Sequence, residues 1–126
     1  MNIKDVDKAL IFACEKFNVE KPECYYNDLP QKTRGGYIPK RKIIILNQEY
    51  FKNNNFCRFN KLYVVFHEFI HYLQEINNEL TDDNYKYKNF QEYINLPIEK
   101  DARSRGQSLL SKYKRFLYGE YRANRY

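Results

Sequence analysis

Histidine is almost missing from this chain: among 126 residues only His67 and His71 carry an imidazole. Tryptophan is absent altogether, although thirteen tyrosines and nine phenylalanines bring the aromatic share to 17%. Much of the core must therefore be built from rings whose hydroxyls need partners. Cysteine is scarce and odd in number, and Cys14, Cys24 and Cys57 form no Cys-x-x-Cys pair. That argues against a disulfide framework and a zinc ribbon and for a reducing compartment. No apolar run approaches the ~20 residues of a membrane span. The first residues, Met1 to Asp7, are amphipathic and carry acids, unlike the basic and then apolar layout of a secretory signal. The expectation is a cytoplasmic protein with no membrane partner. Internal repeats and low-complexity linkers are also lacking, and the length suits a single domain, 1–126.

Charge is unevenly spread. Residues 1 to 99 balance fourteen basic against fourteen acidic side chains, so the net +6 comes from residues 100–126. A basic C-terminal helix of this kind suits nucleic acid or an acidic partner. It equally suits a solvated face whose cations complement the negative end of a helix dipole.

Periodicity predicts an α+β chain. Ile3, Val6, Leu10, Ala13 or Cys14, and Phe17 recur at helical spacing over residues 3–18. Val19 to Gln31 contains Pro22, Asn27, Asp28 and Pro30 and reads as irregular connection. Gly35-Gly36 opens a stretch to Asn47 whose β-branched run predicts two short strands joined around Pro39 to Lys42. Ile43 to Leu46 lacks polar alternation, as expected of a strand covered on both faces. Residues 48 to 59, with Asn53-Asn54-Asn55, read as loop. Asn60 is positioned to cap a helix over Lys61 to Ile76, whose apolar residues run round its surface and place it centrally. After a polar loop from Asn77 to Asn89 and a short amphipathic stretch from Phe90 to Ile94, Pro97 suits the first turn of a long helix. That helix is expected to run to about Tyr118, with Gly119 ending it.

Both histidines belong to one motif, His67-Glu68-Phe69-Ile70-His71. Four apart on a helix, the imidazoles share a face and can grip one metal ion, while the Glu68 carboxylate reaches water on that ion. The pattern reads as zinc hydrolase chemistry. A catalytic zinc normally takes three protein ligands, and there is no third histidine. The position where some zincins place an aspartate, six residues after the second histidine, is Asn77. Asp82 and Asp83 remain open. Glu99 is the better candidate: it stands in the first turn of the C-terminal helix, where the dipole favours an anion. The helix repeat sets Ala102 and Gly106 on the same face, small enough for close approach to the histidine helix. Asp101 is expected to point roughly the other way, and to serve an imidazole N–H only if the helix begins late.

His67-Glu68-Phe69-Ile70-His71, then Gln74, then Pro97-Ile98-Glu99-Lys100-Asp101-Ala102 resembles the small gluzincin-type metallopeptidases of bacteria and phages, including relatives of the ImmA/IrrE peptidases and the minimal gluzincins. In these a strand precedes the His-Glu-x-x-His helix and a later helix supplies a glutamate. Residues 35 to 106 match that plan. The chain departs from it at Ile70, where many members have glycine, and at Ser104-Arg105-Gly106. The resemblance implies a zincin-like fold: a small sheet or hairpin on a central motif helix, an N-terminal helix, and a long C-terminal helix carrying the third ligand. It also implies zinc held by His67, His71 and Glu99, with Glu68 as catalytic base.

The expected reaction is hydrolysis of a peptide or protein. Glu68 would take a proton from the attacking water and return it to the leaving amine. An exposed edge of the Tyr37 to Asn47 strands would align an extended peptide. Tyr85, Tyr87, Tyr93 and Arg103 are candidate donors to the developing oxyanion. Two alternatives stand beside this. A deformylase-like amide hydrolase takes a cysteine as third ligand, but the neighbours of Cys57 do not form that motif and a small buried thiol is the expected role. A non-catalytic zincin-fold module would instead bind DNA or an acidic protein through residues 100–126.

Overall fold

The structure, a computed structural model, describes residues 1–81 and 86–125, with side chains through Arg122. Among these residues five helices and one three-stranded sheet form an α+β architecture.

Helix α1 (Ile3–Phe17) follows its periodicity. Asn2 and Asp5 form a reciprocal capping box, and Val6, Ala9, Leu10, Phe12, Ala13 and Cys14 face inward. Asn18 ends the helix with φ 53°, in the left-handed region.

Residues 19–31 contain a strand where irregular connection was expected: β1 (Glu23–Asn27) runs parallel to β3 (Ile43–Asn47). Only Cys24 and Tyr26 turn inward while Glu23, Tyr25 and Asn27 are exposed. Two inward residues between prolines carry little local signal, and the pairing that makes the strand comes from a segment twenty residues away. β2 (Gly35–Ile38) pairs antiparallel with β3 as expected, through a turn in which Lys40 and Lys42 both have positive φ. The order β1-β3-β2 makes β3 central, so the free edge beside the hairpin belongs to β2. Ile44 and Leu46 are fully buried, whereas Ile43 and Ile45 are only half-buried. β3 is therefore sealed on one face and partly covered on the other, not buried on both.

A second element also replaces expected loop. The Asn47 side chain accepts from the Glu49 and Tyr50 N–H groups and caps α2 (Gln48–Lys52), which inserts Tyr50 and Phe51 into the core.

The motif helix α3 (Arg58–Ile76) starts three residues before the expected position. Its N-cap is Cys57, not Asn60, and the Lys61 N–H donates to the Cys57 carbonyl at 3.2 Å. No residue from Arg58 to Asn60 opposes helix, and the buried Lys61 ammonium turns back to the Asn53 carbonyl at 2.7 Å, fastening the first turn. Leu62, Val65, Phe66, Phe69 and Ile70 are fully buried, so α3 is the central helix.

α4 (Phe90–Ile94) is capped by Asn89. α5 (Pro97–Arg125) begins at the expected proline but passes straight through Gly119 to Arg125. A glycine inside a helix costs only about 1 kcal/mol, and Glu120 just beyond it reaches Lys8 of α1 at 2.7 Å. No described helix is long and apolar enough to cross a membrane.

Candidate metal centre

The sheet and α1 hold α3 in place, and α5 packs along it. Gly35 on β2 lies so near α3 that a Cβ there would fall 2.7 Å from Val64 Cγ1. On the other flank Ala102 is fully buried, and a Cβ at Gly106 would stand 3.3 Å from the His67 nitrogen. The small residues expected on the Glu99 face do permit the close approach.

That approach delivers Glu99 to both histidines. His67 Nε2 is 3.2 Å from Glu99 Oε2, and His71 Nε2 is 3.2 Å from Oε1. The rings stand nearly perpendicular with centroids 5.0 Å apart. One ligand atom from each of His67, His71 and Glu99 can be chosen so that all lie within 4.8 Å of one another. Glu99 is 2% exposed and His71 3%, whereas the His67 side chain keeps 17% of its surface, so the group opens to solvent on the His67 side.

The electrostatics follow from that crowding. Burial works against ionisation of Glu99, but His67 and His71 outweigh it and hold the carboxyl well below its usual range. His71 is raised because Glu99 and Glu68 outweigh the burial that would lower it. Glu68 is raised chiefly by burial, with the imidazoles opposing and Glu99 adding to the effect.

The donor set fits a divalent cation. Two imidazole nitrogens and a carboxylate, with one solvent-facing side, are the ligand types of a three-coordinate protein site for zinc. Glu99 Oε1 is a buried carboxylate oxygen that makes no well-formed hydrogen bond, only the 3.2 Å approach of His71 Nε2, and a bound cation would satisfy both atoms. His67 Nδ1 is likewise buried without a partner.

Around the three lie further polar residues whose roles differ from those their positions in the sequence suggest. Asp101 does not point away, nor does it reach an imidazole; its Oδ2 accepts from Gln74 Nε2 at 2.9 Å. Because α5 begins at Pro97, a side chain two positions past Glu99 flanks the α3 contact and can reach round to it. In the sequence Gln74 stands out only as part of a resemblance, yet its Oε1 lies 2.8 Å from His71 Nδ1. Its spacing of three from His71 is the local signal that could have found it.

Of the candidate oxyanion donors, Tyr93 faces Glu99, and burial together with that carboxylate raises its hydroxyl well above the usual tyrosine range. Tyr87 packs against the Tyr93 ring at 5.0 Å. Arg103 donates to the Ile94 carbonyl and ties α4 to α5. Tyr85, Asp82 and Asp83 lie outside the described residues. Tyr63, not among the candidates, sets its ring edge-on to His67 at 5.9 Å.

Cys57 is exposed rather than buried. Ten residues before His67 on one helix, it lies about 15 Å up the axis, too far to replace Glu99.

Compared with protein-family models, curated proteins and solved structures, the chain gives no match.

Proposed function

We propose that this protein is a zinc-dependent metallopeptidase with a zincin-like fold, in which His67, His71 and Glu99 hold the metal and Glu68 is the general base. The observation that carries the reading is the convergence of both imidazole Nε2 atoms on the buried Glu99 carboxylate, brought from a second helix. When bound, zinc supplies a Lewis acid that polarises a carbonyl and acidifies water.

The chain's own residues do the rest. Glu68, one residue after His67 and raised by burial, is suited to accept a proton from water and hand it to the leaving amine. The Tyr93 hydroxyl, directed at Glu99, is the described candidate best placed to donate to a developing oxyanion. Gly35–Ile38 has a free strand edge next to α3, suited to an extended peptide. Such backbone recognition favours a polypeptide substrate. A cytoplasmic setting is part of this reading, because three cysteines without a disulfide suit a reducing compartment.

The test is zinc content and hydrolysis of a fluorogenic peptide library. Wild type should carry one zinc per chain, and Glu68→Gln should keep it while losing about 10²–10⁴-fold in turnover. Protein purified without chelators that holds no stoichiometric metal would end this reading.

A second reading draws on the outer end of α5. Lys112, Lys114, Arg115 and Arg122 are exposed there beside exposed Phe116, Tyr118 and Tyr121. Cations interleaved with aromatic rings suit nucleic acid. A gel shift that weakens with salt, is lost in Lys112→Ala/Arg115→Ala, and persists in Glu68→Gln would favour it.

A further inference from the structure

Gln74 is 1% exposed and sits between the two helices that form the centre. Its amide nitrogen lies 2.9 Å from the Ile98 carbonyl oxygen and 2.9 Å from Asp101 Oδ2. Its amide oxygen lies 2.8 Å from His71 Nδ1. A primary amide has two N–H donors and one accepting oxygen. A backbone carbonyl and a carboxylate can only accept, so both donors are committed to Ile98 and Asp101. Turning the amide over would set its oxygen against two acceptors and its NH2 against the ring. The oxygen is therefore held toward His71, placed to accept from an N–H at Nδ1.

We infer that Gln74 is a positioning residue that accepts from His71 Nδ1 and so orients the ring with Nε2 turned toward Glu99 and the metal. The amide's own orientation is locked from α5 by Ile98 and Asp101, which flank Glu99, the residue that supplies the third ligand. One short segment, 98–101, thus provides one ligand and orients another. Arg105, 3.2 Å from Asp101 Oδ2, holds the far end of the relay. His67 has no such device, since its Nδ1 is buried without a partner. The two imidazoles are prepared unequally, with His71 the preorganised ligand.

The inference rests on the metal-centre reading, and its test is zinc affinity rather than activity. Gln74→Leu, similar in size but without an acceptor, should weaken Zn2+ binding about 10–100-fold in chelator competition, the range typical of losing a partner behind a ligating histidine. In zinc-loaded wild type the His71 Nδ1–H, held by the amide, should exchange slowly with solvent in nitrogen-15 correlation spectra, and in Gln74→Leu it should exchange faster. Asp101→Asn keeps an accepting oxygen for the amide and should retain both the affinity and the slow exchange. Circular dichroism and melting check that each variant is folded.

Unchanged zinc affinity in folded Gln74→Leu overturns the inference and leaves the metal-centre reading standing. Wild type that binds no zinc overturns both.

Discussion

Gly106 of α5 lies against the backbone of His67 on α3, where a Cβ would stand 3.3 Å from the nitrogen and 3.4 Å from Cα. Two turns earlier on α5, Glu99 reaches the imidazole of that same residue at 3.2 Å. The distance between the helices thus sets the geometry of the ligands, and it is controlled by a residue with no side chain.

Gly106→Leu should force the helices apart. Overpacking costs about 1–3 kcal/mol, and the metal-binding atoms should separate with it. Denaturant melts should show the loss of stability, and zinc affinity should fall although no ligand is altered. Unchanged affinity would mean that α5 is held by contacts elsewhere.

Glu99→Ala should abolish stoichiometric zinc, whereas Asp101→Ala should keep it, because Ile98 still holds the Gln74 amide. Zinc at a hundred times its dissociation constant should stabilise wild type by about 2.7 kcal/mol and Glu99→Ala not at all. Loss only in Asp101→Ala would move the third ligand.

Tyr113 is fully buried among Phe12, Phe66 and Phe116, and its hydroxyl has no hydrogen-bond partner. An unsatisfied buried polar group costs about 1–3 kcal/mol. Tyr113→Phe should therefore raise stability by about 1 kcal/mol, read as a higher denaturation midpoint at unchanged slope. A destabilised variant would reveal a partner for the hydroxyl.

The three thiols should separate by pH. The N–H groups of Asn60 and Phe59 at the start of α3 face Cys57 and lower its pKa. Burial pushes Cys14 up to about 11 and Cys24 up to about 12. A lowered pKa places thiolate at lower pH, so iodoacetamide should modify Cys57 first, with a rate that rises with pH and levels off before the other two react. Peptide mapping at several pH values measures this, and equal labelling of Cys24 at neutral pH would contradict the burial.

How legible the molecule was depended on where the information lay. α1 and α3 carry their own periodicity, and Pro97 marks the start of α5, so these could be placed from residue spacing alone. β1 could not, because Glu23–Asn27 turns only Cys24 and Tyr26 inward and becomes a strand by pairing with Ile43–Asn47. α2 was hidden for a different reason. Its cap, Asn47, is also the last residue of β3, so strand and helix share one residue with no turn signal between them. Gly119 misled in the other direction, since a single glycine is a modest penalty that a long helix absorbs.

Sequence alone determined the identity and spacing of the motif, because an α-helix repeats every 3.6 residues and puts His67 and His71 on one face whatever surrounds it. It also made Glu99 the leading partner, through the small residues that follow on its face. Only the tertiary structure decided that Glu99 meets both imidazoles, that Asp101 turns to Gln74, and that Gln74 turns to His71. Gln74 and His71 are three apart on α3, but the Glu99 and Asp101 contacts cross between α3 and α5 over a separation of some thirty residues. Their existence depends on how closely two helices pack, a distance that no local pattern records.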